Sequence, residues 1–242
     1  MAKFIEMVGT AGVGKTTTYN YLLKHSKREI ALFYEDLDRL GNGILKPDFI
    51  LRKLGFQTAN TAAIENDHFM KFVENNRELM DMFWDSLLST EPNIRFHRVK
   101  YLKKIICKIQ RIIEDQSKNN YILDEGLIHN FHYFTVEESR MDFEKQINNL
   151  LNHTEPPAGI LFFKANSEII MERTLNRKKK LGGEIGLTHE ELLRNKQKAL
   201  TQMKKCIEIL EGKEIPVLQL DPYESVIIKA KKINDFILRL KN

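Results

Sequence analysis

Gly9-Thr10-Ala11-Gly12-Val13-Gly14-Lys15-Thr16 is the stretch whose reading decides how this chain folds. It fits G-x-x-x-x-G-K-[ST], a pattern in which glycines let the backbone wrap until successive N–H groups converge on phosphate oxygens. The flanks supply the context that the pattern needs. Lys3-Phe4-Ile5-Glu6-Met7-Val8 is a short alternating apolar run that predicts a strand. Beyond the loop, Tyr19, Leu22 and Leu23 recur at helical spacing, with no Gly or Pro before Gly41, and predict a helix ending near residues 26–28. A helix N-terminus at that place adds about half a positive charge, aimed the same way as the amides.

Gly9 through Thr17 therefore form the candidate nucleotide-binding stretch. Lys15 is placed for the β- and γ-phosphates of a nucleoside triphosphate, and the Thr16 hydroxyl for Mg²⁺. The plain alternative is a flexible glycine turn ahead of an ordinary helix. A dinucleotide fingerprint fits worse, because G-x-G-x-x-G would need a glycine where Thr17 stands.

The 242 residues, 42% hydrophobic and 29% charged, suffice for one large α/β domain or a domain with an insertion, and they exclude a disordered chain. No apolar run approaches the ~18 residues of a membrane span, and a strand beginning at about Lys3 leaves no room for a signal peptide. The expected location is cytoplasmic, with no membrane partner. Cys107 and Cys206 lie in helix-like stretches at no metal spacing and read as reduced packing residues. A net charge of +5 invites a nucleic-acid reading. Much of it is local, since Arg173, Arg177 and Lys178 to Lys180 fall within eight positions. A polyphosphate ligand explains that cluster equally well.

Ile30 to Tyr34 predicts a second buried strand, ending in Glu35-Asp36-Leu37-Asp38. Carboxylates beyond a parallel strand's carboxyl end are candidates for metal, hydroxyl or water chemistry, so Glu35 and Asp36 are candidate catalytic acids. Asp36 or Asp38 could equally cap the next segment. The stretch 36–117 is mostly helical in pattern, with breaks at Pro47, near Gly55 and at Pro92. It is too long for a simple crossover and too patterned for a loop. It reads as a helical acceptor-binding insertion, with Arg77, Arg95, His97 and Arg98 as its anion contacts or ordinary surface charges.

Tyr121-Ile122-Leu123-Asp124-Glu125-Gly126 predicts a buried strand ending in carboxylates, the form of a Walker-B element. Asp124 could hold Mg²⁺ opposite Thr16, and Glu125 could orient or deprotonate a nucleophile. Strands often end in Asp, but a phosphate loop upstream makes the match more specific. His129 and His132 share no spacing with Cys or carboxylates that would suggest zinc. After Pro156-Pro157-Ala158 comes a strand over 159–163, then a helix from about Ser167 with Arg173 and Arg177 one turn apart. The basic run to Gly183 predicts a lid over 173–187 that closes on the triphosphate, against the plainer reading of a solvated charge run. Thr188 with Glu191 forms a capping box for a helix to about Leu210. Val217-Leu218-Gln219-Leu220-Asp221 predicts a last strand, followed by a helix from Pro222.

This order of elements, with Glu172-Arg173-Thr174-Leu175-Asn176-Arg177 leading into the basic loop, resembles the P-loop nucleoside and nucleotide kinases, in particular thymidylate kinase and the deoxynucleoside kinases. The resemblance implies one kinase-like domain over 1–242, a P-loop NTPase fold of three α/β/α layers around a five-stranded parallel sheet. It implies ATP or another NTP with Mg²⁺ as donor, the purine lying between the lid arginines and the loop at Asp221-Pro222-Tyr223, and a homodimer as one option. One departure matters. Where these kinases place an Arg that contacts the acceptor, this chain has Glu125, and a carboxylate repels an acceptor phosphate. The acceptor expected from that departure is an uncharged hydroxyl compound, with Glu125, Glu35 or Asp36 as base, or else the nucleophile is water; the resemblance itself keeps a nucleoside or nucleotide among the options. A P-loop ATPase or switch working with a protein or nucleic acid, and a polynucleotide 5′-kinase, are the competing readings.

Overall fold

The computed structural model describes residues 3–27, 30–33, 59–117, 119–131, 143–176 and 188–241. Strand β1 (Lys3–Val8) runs through the middle of the sheet. Phe4 and Val8 pack on one side of it, Ile5 and Met7 on the other, as the period-two alternation of an extended chain requires. Apolar packing on both faces marks a sheet buried between two helical layers.

The remaining strands are β2 (Leu32–Phe33), β3 (Asn120–Leu123), β4 (Gly159–Phe163) and β5 (Val217–Leu220). All neighbours are parallel, in the order β2-β3-β1-β4-β5, so this is the five-stranded parallel α/β sheet that the family resemblance implies. Of the second predicted strand only Leu32 and Phe33 are paired within the described residues, against Tyr121 and Ile122.

Helix α1 (Lys15–His25) follows the glycine loop directly. It shares the Ile5–Met7 face with α7 (Ser167–Leu175) and α9 (Val226–Lys241), through Tyr19, Leu22, Ile170, Ile233 and Ile237. The Phe4–Val8 face is covered by α3 (Arg77–Leu88), α4 (Pro92–Glu114), α5 (Leu127–Asn130), α6 (Phe143–His153) and α8 (His189–Gly212). Helix α2 (Ala59–Asn75) joins that layer through Phe72. Of the stretch 36–117, the described residues 59–117 form α2, α3 and α4 with short breaks between them, and residues 36–58 lie outside the described residues.

Local chemistry sets several boundaries. The break between α2 and α3 carries no Gly or Pro; Asn76 makes it, its side-chain amide donating to the Phe72 carbonyl at 2.8 Å. Helix α4 stops at Glu114, short of residue 117 where the helical pattern runs out, because Asp115 turns extended and its carboxylate accepts the Ser117 N–H at 3.2 Å and the Tyr121 hydroxyl at 2.6 Å. The capping box at α8 is present, with Thr188 and Glu191 satisfying each other's backbone N–H. Helix α9 begins at Val226 and not at Pro222. Asp221 instead accepts the Tyr223 N–H at 2.8 Å, and Ser225 accepts that of Ile228 at 3.3 Å. Among the described residues no helix is long and apolar enough to cross a membrane.

Candidate functional site

The glycine loop leaves the tip of β1 and is shaped at three points. Gly12 and Gly14 have φ of 96° and 97°, a region that side chains with a Cβ avoid. Gly9 is fixed by close approach: a Cβ there would stand 3.0 Å from the Phe163 Cβ and carbonyl oxygen and from the Val13 side chain. Val13, fully buried, anchors the loop in the core between Phe163 and α1. Gly14 is the N-cap of α1 and offers no side-chain bond, and the first turn holds no acidic residue. The helix therefore keeps its uncompensated positive pole facing the loop.

Lys15 is buried, and its ammonium donates to the carbonyl oxygens of Gly9 and, at 3.2 Å, of Thr10. Thr16 and Thr17 are exposed on the first turn of α1. The hydroxyl of Thr10 is buried and has no hydrogen-bond partner among the described residues. A buried orphan hydroxyl, a bare helix N-terminus and a folded-back lysine are groups that together suit a multiply charged oxyanion.

Arg173 sits on α7, not on a loop. Its guanidinium donates to the Gly12 carbonyl at 3.3 Å and to the Pro222 carbonyl at 3.2 Å. One side chain thus ties the glycine loop to the Asp221-Pro222-Tyr223 turn after β5, the turn beside which the family resemblance implies the purine. Lys229 of α9 comes to the same carbonyl, at 3.4 Å from Pro222, and is itself buried. Burial, and then the nearby Arg173 charge, hold its pKa below the usual lysine value. The sequence offered no signal for Lys229, which reads there as one more cation on an amphipathic helix. Arg177, Glu35 and Asp36, and all of the predicted lid after Asn176, lie outside the described residues.

At the neighbouring strand tip, Leu123 is level with Glu6 of β1, so Asp124 and Glu125 leave the sheet alongside the last residues before Gly9. Both acids are held from helix α4. Lys108 pairs with Asp124 at 3.6 Å, and the Tyr101 hydroxyl donates to Glu125. Positions 101 and 108 lie two turns apart on one helix face, which is how a single helix reaches both carboxylates. Sequence reading placed the insertion but not these two residues; their shared spacing was a usable signal once α4 was known to face the strand tip.

Beneath the tip lies an acid that sequence reading passed over. Glu6 is fully buried on β1 and accepts backbone N–H groups from Ile128 at 3.4 Å and His129 at 2.5 Å. Burial raises its pKa from the ordinary carboxylate range to about 7, although the backbone bonds from His129, Ile128 and Gly126 oppose the rise. The signal was present, since a charge stood at the inward position between Phe4 and Val8. Cys107 and Cys206 are buried thiols, as expected of packing residues. Desolvation pushes their pKa values up to about 11 and about 12, which keeps them protonated and unreactive.

A divalent cation fits these residues in one way. Among the described residues no group of three or more His, Cys, Asp or Glu forms a cage. Asp124 already faces a cationic group, and the Thr16 hydroxyl is open to solvent, so the donors suit a hard ion that brings most of its ligands as phosphate oxygens and water.

No family model matches the chain, and no curated protein sequence matches it. Solved structures do. One is the deoxyadenosine kinase from M. mycoides with bound dATP, 14% identical, with a TM-score of 0.45 over 98% of this chain and 99% of that one. Another is the deoxyadenosine kinase from M. mycoides with the products dCMP and a flexible dCDP bound, 11% identical, with a TM-score of 0.43 over 98% and 99% of the two chains. At such distance the functional reading stands on this chain's own residues.

Proposed function

We propose that the chain is an ATP- and Mg²⁺-dependent phosphotransferase that passes the γ-phosphoryl group of a bound nucleoside triphosphate to a small-molecule acceptor, a nucleoside or nucleotide among the candidates. The observation that carries it is the Gly9–Thr16 loop, with Gly12 and Gly14 at positive φ, Lys15 folded over it and the bare N-terminus of α1 behind it. In this reading the loop amides and Lys15 bind the phosphates and stabilise the charge that spreads over the transferred group. Thr16 and Asp124 hold the metal, whose chemistry is to neutralise β- and γ-phosphate charge. Arg173 keeps the turn at Pro222 against the loop, which supports a nucleoside moiety lying there. Arg177 on the predicted lid supplies further positive charge on closure. Glu125, with Glu35 and Asp36 from the neighbouring strand, is the candidate base that prepares the acceptor hydroxyl.

ATP consumption measured across a panel of nucleosides, nucleotides, sugars and oligonucleotides tests this directly. Acceptor-dependent ADP release is the expected outcome; equal ADP release with every acceptor, and with none, would sink it. That second result is what a P-loop ATPase gives. One feature favours the ATPase: the residue after Asp124 is an acid, held by Tyr101, where acceptor-phosphate recognition would call for a cation.

A further inference from the structure

We propose that Glu6 is a positioning residue: from inside the core it fixes the turn at Gly126, and through it the stance of Asp124 and Glu125 against the phosphate loop. This rests on the phosphotransfer reading of that loop and that strand tip.

The contact is made without slack. Glu6 accepts the N–H groups of Ile128 and His129, the first amides of α5. Gly126, the N-cap of that helix, offers no side chain of its own to do so. A Cβ on Gly126 would stand 2.4 Å from both the Cδ and the Oε2 of Glu6, so only glycine lets the turn settle on the carboxylate. Immediately before it, Glu125 and Asp124 are tied to Tyr101 and Lys108 of α4. The two acids are thus held from the insertion on one side and from β1 on the other. Glu6 lies three residues ahead of Gly9 on a strand rising about 3.3 Å per residue, so one rigid element carries the phosphate loop at its end and the anchor of the acid tip about 10 Å behind.

Packing alone does not account for an acid here. Phe4 and Val8 fill the same face with apolar groups, and an apolar side chain at position 6 would avoid the desolvation that burying a carboxylate incurs. What an apolar residue cannot do is accept two backbone N–H groups and so define where the turn stands. Glutamine can replace one acceptor only, because its amide nitrogen would face a backbone N–H with another donor.

The test uses the full chain, with ATP binding by calorimetry and turnover with the acceptor found in the panel, or hydrolysis if none is found. Glu6→Gln is expected to bind ATP within about threefold of wild type while kcat falls by about 20-fold or more, since the loop is untouched and the acids are displaced. Gly126→Ala should give the same split, and adding Glu6→Asp should recover much of the lost kcat by withdrawing the carboxylate from the new methyl group. If folded Glu6→Gln keeps kcat within twofold, or if Glu6→Asp recovers nothing in the Gly126→Ala background, Glu6 is a packing residue and the inference fails. Should Glu6→Gln not fold, the Gly126→Ala pair decides. A wild-type chain that binds no ATP overturns instead the reading on which the inference rests.

Discussion

The guanidinium of Arg173 donates to the Gly12 carbonyl at 3.3 Å, joining residues 161 positions apart, and reaches Pro222 on its other side at 3.2 Å. It does with one planar group what a flexible ammonium cannot, since the two acceptors lie at the ends of a fixed fork. Arg173→Ala should weaken ATP binding by about tenfold, equivalent to about 1.4 kcal/mol. Arg173→Lys should recover little of it. Calorimetry on both variants checks this; unchanged affinity in the alanine variant would show that the turn at Pro222 does not belong to the nucleotide site.

Lys15 donates to carbonyls of its own loop, those of Gly9 and Thr10, so its loss should act on the loop before the core. Lys15→Ala is expected to reduce turnover by at least about 100-fold, the scale seen when a preorganised charge is removed from a transition state. Thermal unfolding should move little. A variant that turns over normally would remove the loop from the chemistry.

Asp124 faces Lys108 at 3.6 Å, and a divalent cation arriving at Asp124 must share it with that ammonium. Asp124→Asn should raise the Mg²⁺ concentration for half-maximal turnover about tenfold or more, while Lys108→Met should lower it. Mn²⁺ binding followed by EPR gives the same comparison without turnover. Opposite shifts in the two variants are the expected signature; parallel shifts would contradict the placement of the metal.

Glu6 makes stability depend on pH in a direction opposite to most carboxylates. Its folded pKa of about 7 lies above its unfolded value, so between about pH 4.5 and 7 the folded state holds a proton that the unfolded state has lost. Stability from this group is therefore full below pH 4.5, falls as pH rises through 7, and levels off above. The span is about 3 kcal/mol if burial alone governs. Among the described residues the Cys206 thiol feels the Glu6 charge and stays protonated throughout this range, and His129 meets Glu6 through its backbone N–H. In Glu6→Gln this contribution is absent, so the gap in melting temperature between the two proteins should shift steadily across pH 4.5–7. A constant gap would mean that Glu6 titrates normally.

Gly9 tests how tightly the loop is built. A methyl group there meets Phe163 and Val13 at 3.0 Å, and Phe163 presents backbone that cannot step aside. Gly9→Ala should cost about 1–3 kcal/mol, the range for overpacking a dense core. ATP binding should fall with it. Full affinity in this variant would show that the loop tolerates a shift away from β4.

The sequence by itself determined where the strands and the phosphate loop lie, because both rest on local rules. Apolar alternation fixes a strand through its period of two, and a glycine pattern between strand and helix reports backbone torsions that side chains forbid. The same locality made the capping box at Thr188 legible, since Thr188 and Glu191 are three residues apart. What lay beyond it were contacts that spacing alone does not place. Tyr101 and Lys108 reach Glu125 and Asp124 only because α4 packs across the tip of β3, and Arg173 spans Gly12 and Pro222 only because α7 stands between two loops. Glu6 was visible as a charge on an apolar face, yet its partners at Ile128 and His129 exist only once β1 and β3 lie side by side. Tertiary structure decided these, because hydrogen bonds and ion pairs depend on distance in space, which a chain sets only when its core has closed.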